Sequence, residues 1–220
     1  MRYILLACLA FWGTASWAQG EQRNRLDAAA DVIKDLGKIP EGIPPSMIRS
    51  AKAIVIIPNV IKAGFIVGGR FGRGVVVVRR GDHFSAPLFV TIGGGSVGFQ
   101  AGVQSMDLVL VFRTQRSLDN LLKGKLTLGA DANVAAGPIG RHGEAATDLS
   151  LKAEVYSYSR ARGLFAGISL EGSWLAIDDE AAAAYYGKKW SRRDIISGRG
   201  IRAGSEVMRL RNILDQASKG

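Results

Sequence analysis

The sequence predicts an α+β fold: a mainly antiparallel, strongly twisted sheet or partly closed barrel, with helices at both ends of the chain. Three observations predict it. Across residues 53–172, short apolar runs rich in Val and Ile are separated by glycine clusters, the pattern of strands between turns. Within that stretch Leu126, Leu128, Ala130, Ala132, Val134 and Ala136 alternate strictly, as do Leu149, Leu151, Ala153 and Val155. A period of two with one polar face marks antiparallel strands with one side in a core. On either side of the stretch, apolar residues recur at helical spacing instead.

Taken in order, residues 21–36 read as a helix with Leu26, Ala29, Ile33 and Leu36 on one face. Arg23, Arg25, Asp31, Lys34 and Asp35 fall elsewhere on it, and Gly37 with Pro40 supplies a stop. Ile39-Pro40 and Ile43-Pro44-Pro45 read as a linker, after which Ser46 caps a short helix through Ala51. Strand-like runs follow at 53–58, 64–69, 74–78, 85–95, 97–104, 107–112, 125–136, 146–159 and 164–176. Residues 117–123 interrupt them as a short helix with Leu118, Leu121 and Leu122 facing inward. Residues 180–186 form an alanine-rich helix whose start is charged by Asp178, Asp179 and Glu180. Ser205 caps a last helix in which Val207, Leu210, Ile213 or Leu214, and Ala217 share a face.

A chain of 220 residues, 47% hydrophobic, supports one sizeable core. Its 29 basic and 19 acidic residues leave a net charge of +10. That balance points to anionic partners such as phospholipid head groups, nucleic acid or acidic protein.

The first residues set the context. Met1-Arg2 is a minimal basic region, residues 3–12 are an apolar run, and Ser16-Trp17-Ala18 fits an export cleavage site. Residues 1–18 are therefore expected to be a signal peptide removed before Gln19, which implies a periplasmic or secreted protein, peripheral to a membrane at most. The single cysteine, Cys8, would leave with it, so neither a disulfide nor a thiolate is expected in the mature chain. An exported location also makes nucleic acid an improbable partner.

Gly93-Gly94-Gly95-Ser96-Val97-Gly98 matches both a dinucleotide fingerprint and, from Gly94, a nucleophile elbow. Each pattern requires a helix directly afterwards. Phe99-Gln100-Ala101-Gly102-Val103-Gln104 alternates and contains glycine, so it reads as a strand. A hydrolase built on Ser96 would also need a histidine, and only His83 and His142 exist, both in turn-like contexts. No Cys/His cluster suits zinc, and no cofactor is expected. The candidate binding residues are instead cations. Arg70, Arg73, Arg79 and Arg80 lie near Gly69, Gly72 and Gly81, while Lys188, Lys189, Arg192 and Arg193 lie near Tyr185, Tyr186 and Trp190. Aromatic rings beside cations suit a membrane interface.

Ordered blocks along the chain resemble the SYLF domain family, also called the Ysc84-type actin- and lipid-binding domain. They include Arg25-Leu26-Asp27, Ala51-Lys52-Ala53-Ile54-Val55-Ile56-Ile57-Pro58, Lys62-Ala63-Gly64-Phe65 and Phe84-Ser85-Ala86-Pro87. Further blocks are Gly95-Ser96-Val97-Gly98-Phe99-Gln100-Ala101-Gly102, Tyr156-Ser157-Tyr158-Ser159, Gly163-Leu164-Phe165-Ala166-Gly167 and Tyr185-Tyr186-Gly187. The resemblance covers residues 25–187, so residues 19–187 are expected to be a SYLF-like domain and 188–220 a basic extension with a helix. It implies a non-catalytic module that binds phosphoinositide-like or other anionic phospholipid. In an exported member, anionic phospholipid is the expected ligand and actin is not. An envelope structural protein acting through protein contacts, with a second copy of the chain as one candidate partner, is the alternative.

Overall fold

The computed structural model describes residues 3–36, 42–137, 153–161, 164–166 and 170–219. Among these are six helices and eight strands. In chain order they are α1 (Tyr3–Leu36), α2 (Pro45–Ser50), β1 (Ala53–Arg80), β2 (His83–Phe84), β3 (Leu88–Phe112) and α3 (Gln115–Leu122). They continue with β4 (Lys125–Thr127), β5 (Val134–Ala136), β6 (Val155–Ala161), β7 (Leu164–Ala166) and β8 (Trp174–Ile177). The last three are α4 (Asp179–Tyr186), α5 (Arg192–Ser197) and α6 (Ser205–Lys219). The expected α+β architecture is therefore present. Gly37, Ile39-Pro40, Leu149, Leu151 and His142 lie outside the described residues.

Two long strands organise the molecule. The runs read separately at 53–58, 64–69 and 74–78 are one strand, β1, and those at 85–95, 97–104 and 107–112 merge into β3. They pair antiparallel from Ala53↔Phe112 to Val76↔Leu88, and Gly81, at φ 59°, turns the chain after β1. The glycines within β1 and β3 are not turns but places where the ribbon bends. Register shifts fall between Ile57 and Val60, where Asn59 has φ 51°, and between Gly64 and Ile66.

The bend brings the two halves of β1 face to face. A Cβ at Gly74 would collide with the Ile56 carbonyl and with Ile57, and one at Gly72 with the Ile57 and Val60 side chains. Only glycine permits that approach. β8 then adds to the first half of β3, with β4 beside it, and β6 adds to the second half, with β5 and β7 beside it. Two arms of one sheet thus curl around a core containing Val55, Ile57, Val75, Val77, Phe89, Leu110 and Tyr158. β5 pairs with β6 in parallel, and the remaining described pairs are antiparallel.

α1 closes one side of this curl, packing on β1, α4 and α6. Leu26, Ala29, Ile33 and Leu36 are buried as their spacing predicts, and Arg25, placed off that face by the sequence, is buried as well. The helix begins at Tyr3 rather than at residue 21. Among the described residues, no helix is long and apolar enough to cross a membrane.

Several local expectations are corrected. Residues 125–136 form two strands rather than one, because Gly129, at φ 92°, breaks the alternation with a turn. Pro44, not Ser46, occupies the N-cap of α2, and Ser46 lies inside the helix. Ser205 is within the first turn of α6, where its hydroxyl donates to Glu206 Oε2. α5, capped by Ser191 accepting from the Asp194 amide, arises inside the stretch read only as basic. At α4 the reading holds: Asp178 Oδ1 accepts from the Ala181 amide at 2.9 Å.

Candidate functional site

Of the eight cations singled out by sequence, the first group, Arg70, Arg73, Arg79 and Arg80, does not form one cluster. Arg70 and Arg73 lie in mid-β1, whereas Arg79 and Arg80 lie at its end. Nine residues of strand separate Arg70 from Arg79, ~30 Å along the strand path.

Three of the eight bind the last carbonyls of helices. Arg79 donates to Ile48 O of α2 at 2.8 Å and stacks on Phe84 at 4.1 Å. Arg80 donates to Ile196 O and Ser197 O, the end of α5. Arg192 donates to Leu122 O of α3 at 2.6 Å and forms a two-pronged pair with Asp179. Arg49 does the same for α6 through Ser218 O at 2.9 Å. A guanidinium suits this position because it satisfies carbonyls left unpaired by the helix and opposes the negative end of its dipole. Burial lowers the pKa of Arg79, with Asp215 and Asp82 opposing that shift.

The C-terminal group is surface. Lys188 sits over the Trp190 ring at 3.9 Å, and Lys189 and Arg193 are exposed. Lys189 and Arg192 line an open cleft of about 860 Å³, which Asp178, Asp179 and Glu180 also line. Those carboxylates oppose the binding of an anion there.

A different surface emerges from the bent ribbon. Along β1, Ile61, Ala63, Gly69, Phe71 and Arg73 are exposed, while Lys62, Arg70 and Gly72 on the alternate face are half-buried or buried. Ile61 and Phe71 are each 49% exposed, and Val103, paired with Ala63 on β3, is 75% exposed. Residues 59–73 and 91–106 carry Lys62, Arg70 and Arg73 and no carboxylate. Burial lowers the pKa of Arg70.

At the base of this ribbon, α1 contributes a residue that sequence reasoning left aside. Arg25 Nη2 donates to Glu21 Oε1 at 3.0 Å, and Arg73 Nη1 reaches the same oxygen at 3.2 Å. Arg25 lies over the Phe89 ring at 5.6 Å, and its Nη1 is buried with no hydrogen-bond partner among the described residues. Desolvation lowers its pKa, with Glu21 opposing. The signal available in sequence was the Glu21/Arg25 spacing of one helical turn.

The glycine-rich motif lies wholly inside β3, with Ser96 paired to Gly68. No helix follows it, so neither the nucleophile-elbow nor the dinucleotide-binding geometry forms. Among the described residues, no three His, Cys, Asp or Glu side chains gather as a metal site.

A curled, mainly antiparallel sheet covered by helices, with an apolar ribbon left exposed at its surface, defines the α+β class of this domain. The family model described as "Ysc84: Las17-binding protein actin regulator" matches residues 93–217. The chain belongs to that family. It is 42% identical over 184 residues to the human SH3 domain-containing YSC84-like protein 1, covering 80% of this chain and 54% of the relative. It is 41% identical over 196 residues to the Xenopus laevis protein of the same name, covering 85% and 58%. It is 40% identical over 161 residues to LAS seventeen-binding protein 3 of Saccharomyces cerevisiae YJM789, covering 71% and 35%. The chain thus spans between about a third and three fifths of the length of these relatives. The family description names Las17 binding and actin regulation, and the yeast relative's name gives LAS seventeen binding.

Proposed function

We propose that this chain is a non-catalytic, exported module that binds anionic phospholipid at a membrane surface. The observation that carries the reading is the β1–β3 ribbon. It presents Ile61, Phe71, Val103 and Arg73 to solvent on one face, with Lys62 and Arg70 half-buried on the alternate face and no carboxylate in either strand segment. Apolar side chains enter the head-group boundary and cations meet phosphate there. Lys188, Lys189 and Arg193, with Trp190 nearby, provide a second, weaker contact. Arg79, Arg80 and Arg192 act as struts in this reading.

The test is flotation of the chain with vesicles containing about one anionic lipid in five, against neutral vesicles, at low and high salt. Preferential binding to the anionic vesicles that falls with salt is expected. Equal, salt-insensitive binding to both sinks the electrostatic part of the reading. The family description names Las17 binding and actin regulation, so filamentous actin is the protein control. Binding to actin with none to either vesicle would replace the lipid reading.

A further inference from the structure

We infer that Arg25 and Arg73 form a phosphate site that the chain's own Glu21 occupies and that a lipid phosphate takes over by displacing that carboxylate. The inference deepens the lipid-binding reading and rests on it. Two cations converge on one carboxylate oxygen, at 3.0 and 3.2 Å, so the group carries an unbalanced positive charge. Arg25 is its floor, with a side chain 7% exposed and Nη1 lacking an acceptor among the described residues. Glu21 and Arg73 are its open side, at 56% and 51% exposure.

Each guanidinium also lies over a ring: Arg25 over Phe89 at 5.6 Å and Arg73 over Phe71 at 5.7 Å. The other carboxylate acting on Arg25 is Asp178, whose Oδ1 already caps α4. A half-exposed carboxylate is weakly held. A phosphate offers several oxygens and a higher charge, and arginine binds it in a forked geometry. Position supplies the rest. Phe71 and Arg73 lie on the same exposed face of β1, so a bilayer meeting Phe71 brings its phosphates level with Arg73 and then Arg25. Glu21 therefore works as an internal competitor that sets the affinity.

The full chain is compared as wild type, Glu21→Gln, Glu171→Gln, Arg73→Gln and the Glu21→Gln/Arg73→Gln double variant. Glu171 is an exposed acid in the turn before β8, so its replacement makes the same charge change outside the arginine pair and the cleft of Lys189. Flotation uses vesicles with phosphatidic acid and vesicles of phosphatidylcholine alone. Glu21→Gln is expected to tighten binding to the phosphatidic acid vesicles about 2- to 30-fold, the range released by two weak ion pairs. Glu171→Gln is expected to change it less than about 2-fold, and Arg73→Gln to erase the gain. A gain no larger than that of Glu171→Gln, or one that survives Arg73→Gln, overturns the site while leaving lipid binding standing.

A second arm titrates inorganic phosphate while following the arginine side-chain NMR signals. If no variant distinguishes the two vesicles, the lipid reading falls and this arm decides. Shifts of the Arg25 and Arg73 signals in Glu21→Gln then assign a site for free phosphate. Unmoved signals overturn the site as well.

Discussion

Replacing Ile61, Phe71 and Val103 together by serine separates apolar insertion from charge attraction. The three residues are 49%, 49% and 75% exposed, so the change removes little from the folded core. Fully burying one such side chain is worth about 1.5–3 kcal/mol. Weighted by the exposed fractions, complete insertion of all three contributes at most about 2.5–5 kcal/mol. That corresponds to a loss of at most about two to four orders of magnitude in membrane partition. The net charge and every cation remain unchanged. The assay is vesicle flotation over a range of lipid concentrations, with the thermal midpoint measured in parallel. Surface changes of this kind shift stability by about 0.5 kcal/mol or less per site, so the midpoint should move only slightly. A triple variant that keeps its midpoint and binds anionic vesicles within about twofold of wild type refutes ribbon insertion.

Four further outcomes are expected. Arg160 ties Asp35 of α1 to Asp107 of β3 at 2.8 and 2.7 Å; Arg160→Ala should cost about 1–3 kcal/mol in urea unfolding, and an unchanged midpoint refutes that strut. Gly74→Ala drives a Cβ into the Ile56 carbonyl, so it should destabilise by about 1–3 kcal/mol or more, whereas wild-type stability would mean the arms are not in contact. The Arg192 hydrogen bond lowers the Asp179 pKa; for Glu206 burial is outweighed by its own backbone amide, Tyr185, Ser205 and Arg23. Both carboxylates therefore stabilise the fold above their unfolded pKa values of about 3.9 and 4.3, and that contribution fades as pH falls through the lower folded values. Arg192→Gln should flatten the acid side of the stability curve, and an unaltered slope removes Asp179 from it. Mass spectrometry of the full-length chain expressed in a bacterium and recovered from its periplasm should give a mass that begins at Gln19, and a mass that includes residues 1–18 excludes cleavage there.

Periodicity carried the elements it could carry. α1 and α6 were legible because a helix packed on one side repeats its apolar residues every three or four positions, as Leu26, Ala29, Ile33 and Leu36 do. β1 and β3 were legible as strand but not as two long strands, since a glycine that bends a strand looks the same as one that ends it. Gly72 and Gly74 are identifiable as close-approach positions only once Ile56 and Ile57 lie opposite them. α5 was hidden because it is six residues long, Arg192, Arg193 and Asp194 read in sequence as solvated charge, and only Ile195 is buried. The candidate site was hidden for a related reason. Arg25 and Arg73 lie 48 positions apart in sequence, and nothing local to either announces that both reach Glu21.

The net charge of +10 therefore overstates the charge available to a ligand. Arg49, Arg79, Arg80 and Arg192 each spend guanidinium donors on the end of a helix. Arg160 and Arg209 bridge pairs of aspartates, Asp35 with Asp107 and Asp27 with Asp31. These cations stand where lysine would serve poorly, because holding two acceptors at once needs the planar fork of arginine. Removing one would loosen the packing of α1, α2, α3, α5 or α6 against the sheet. Lys62 and Arg73 belong to another class, set on the ribbon beside exposed apolar side chains and away from helix ends. Vesicle affinity should follow that second class once stability is held constant, so a charge-reversal scan that ignored the thermal midpoint would assign the struts to the lipid.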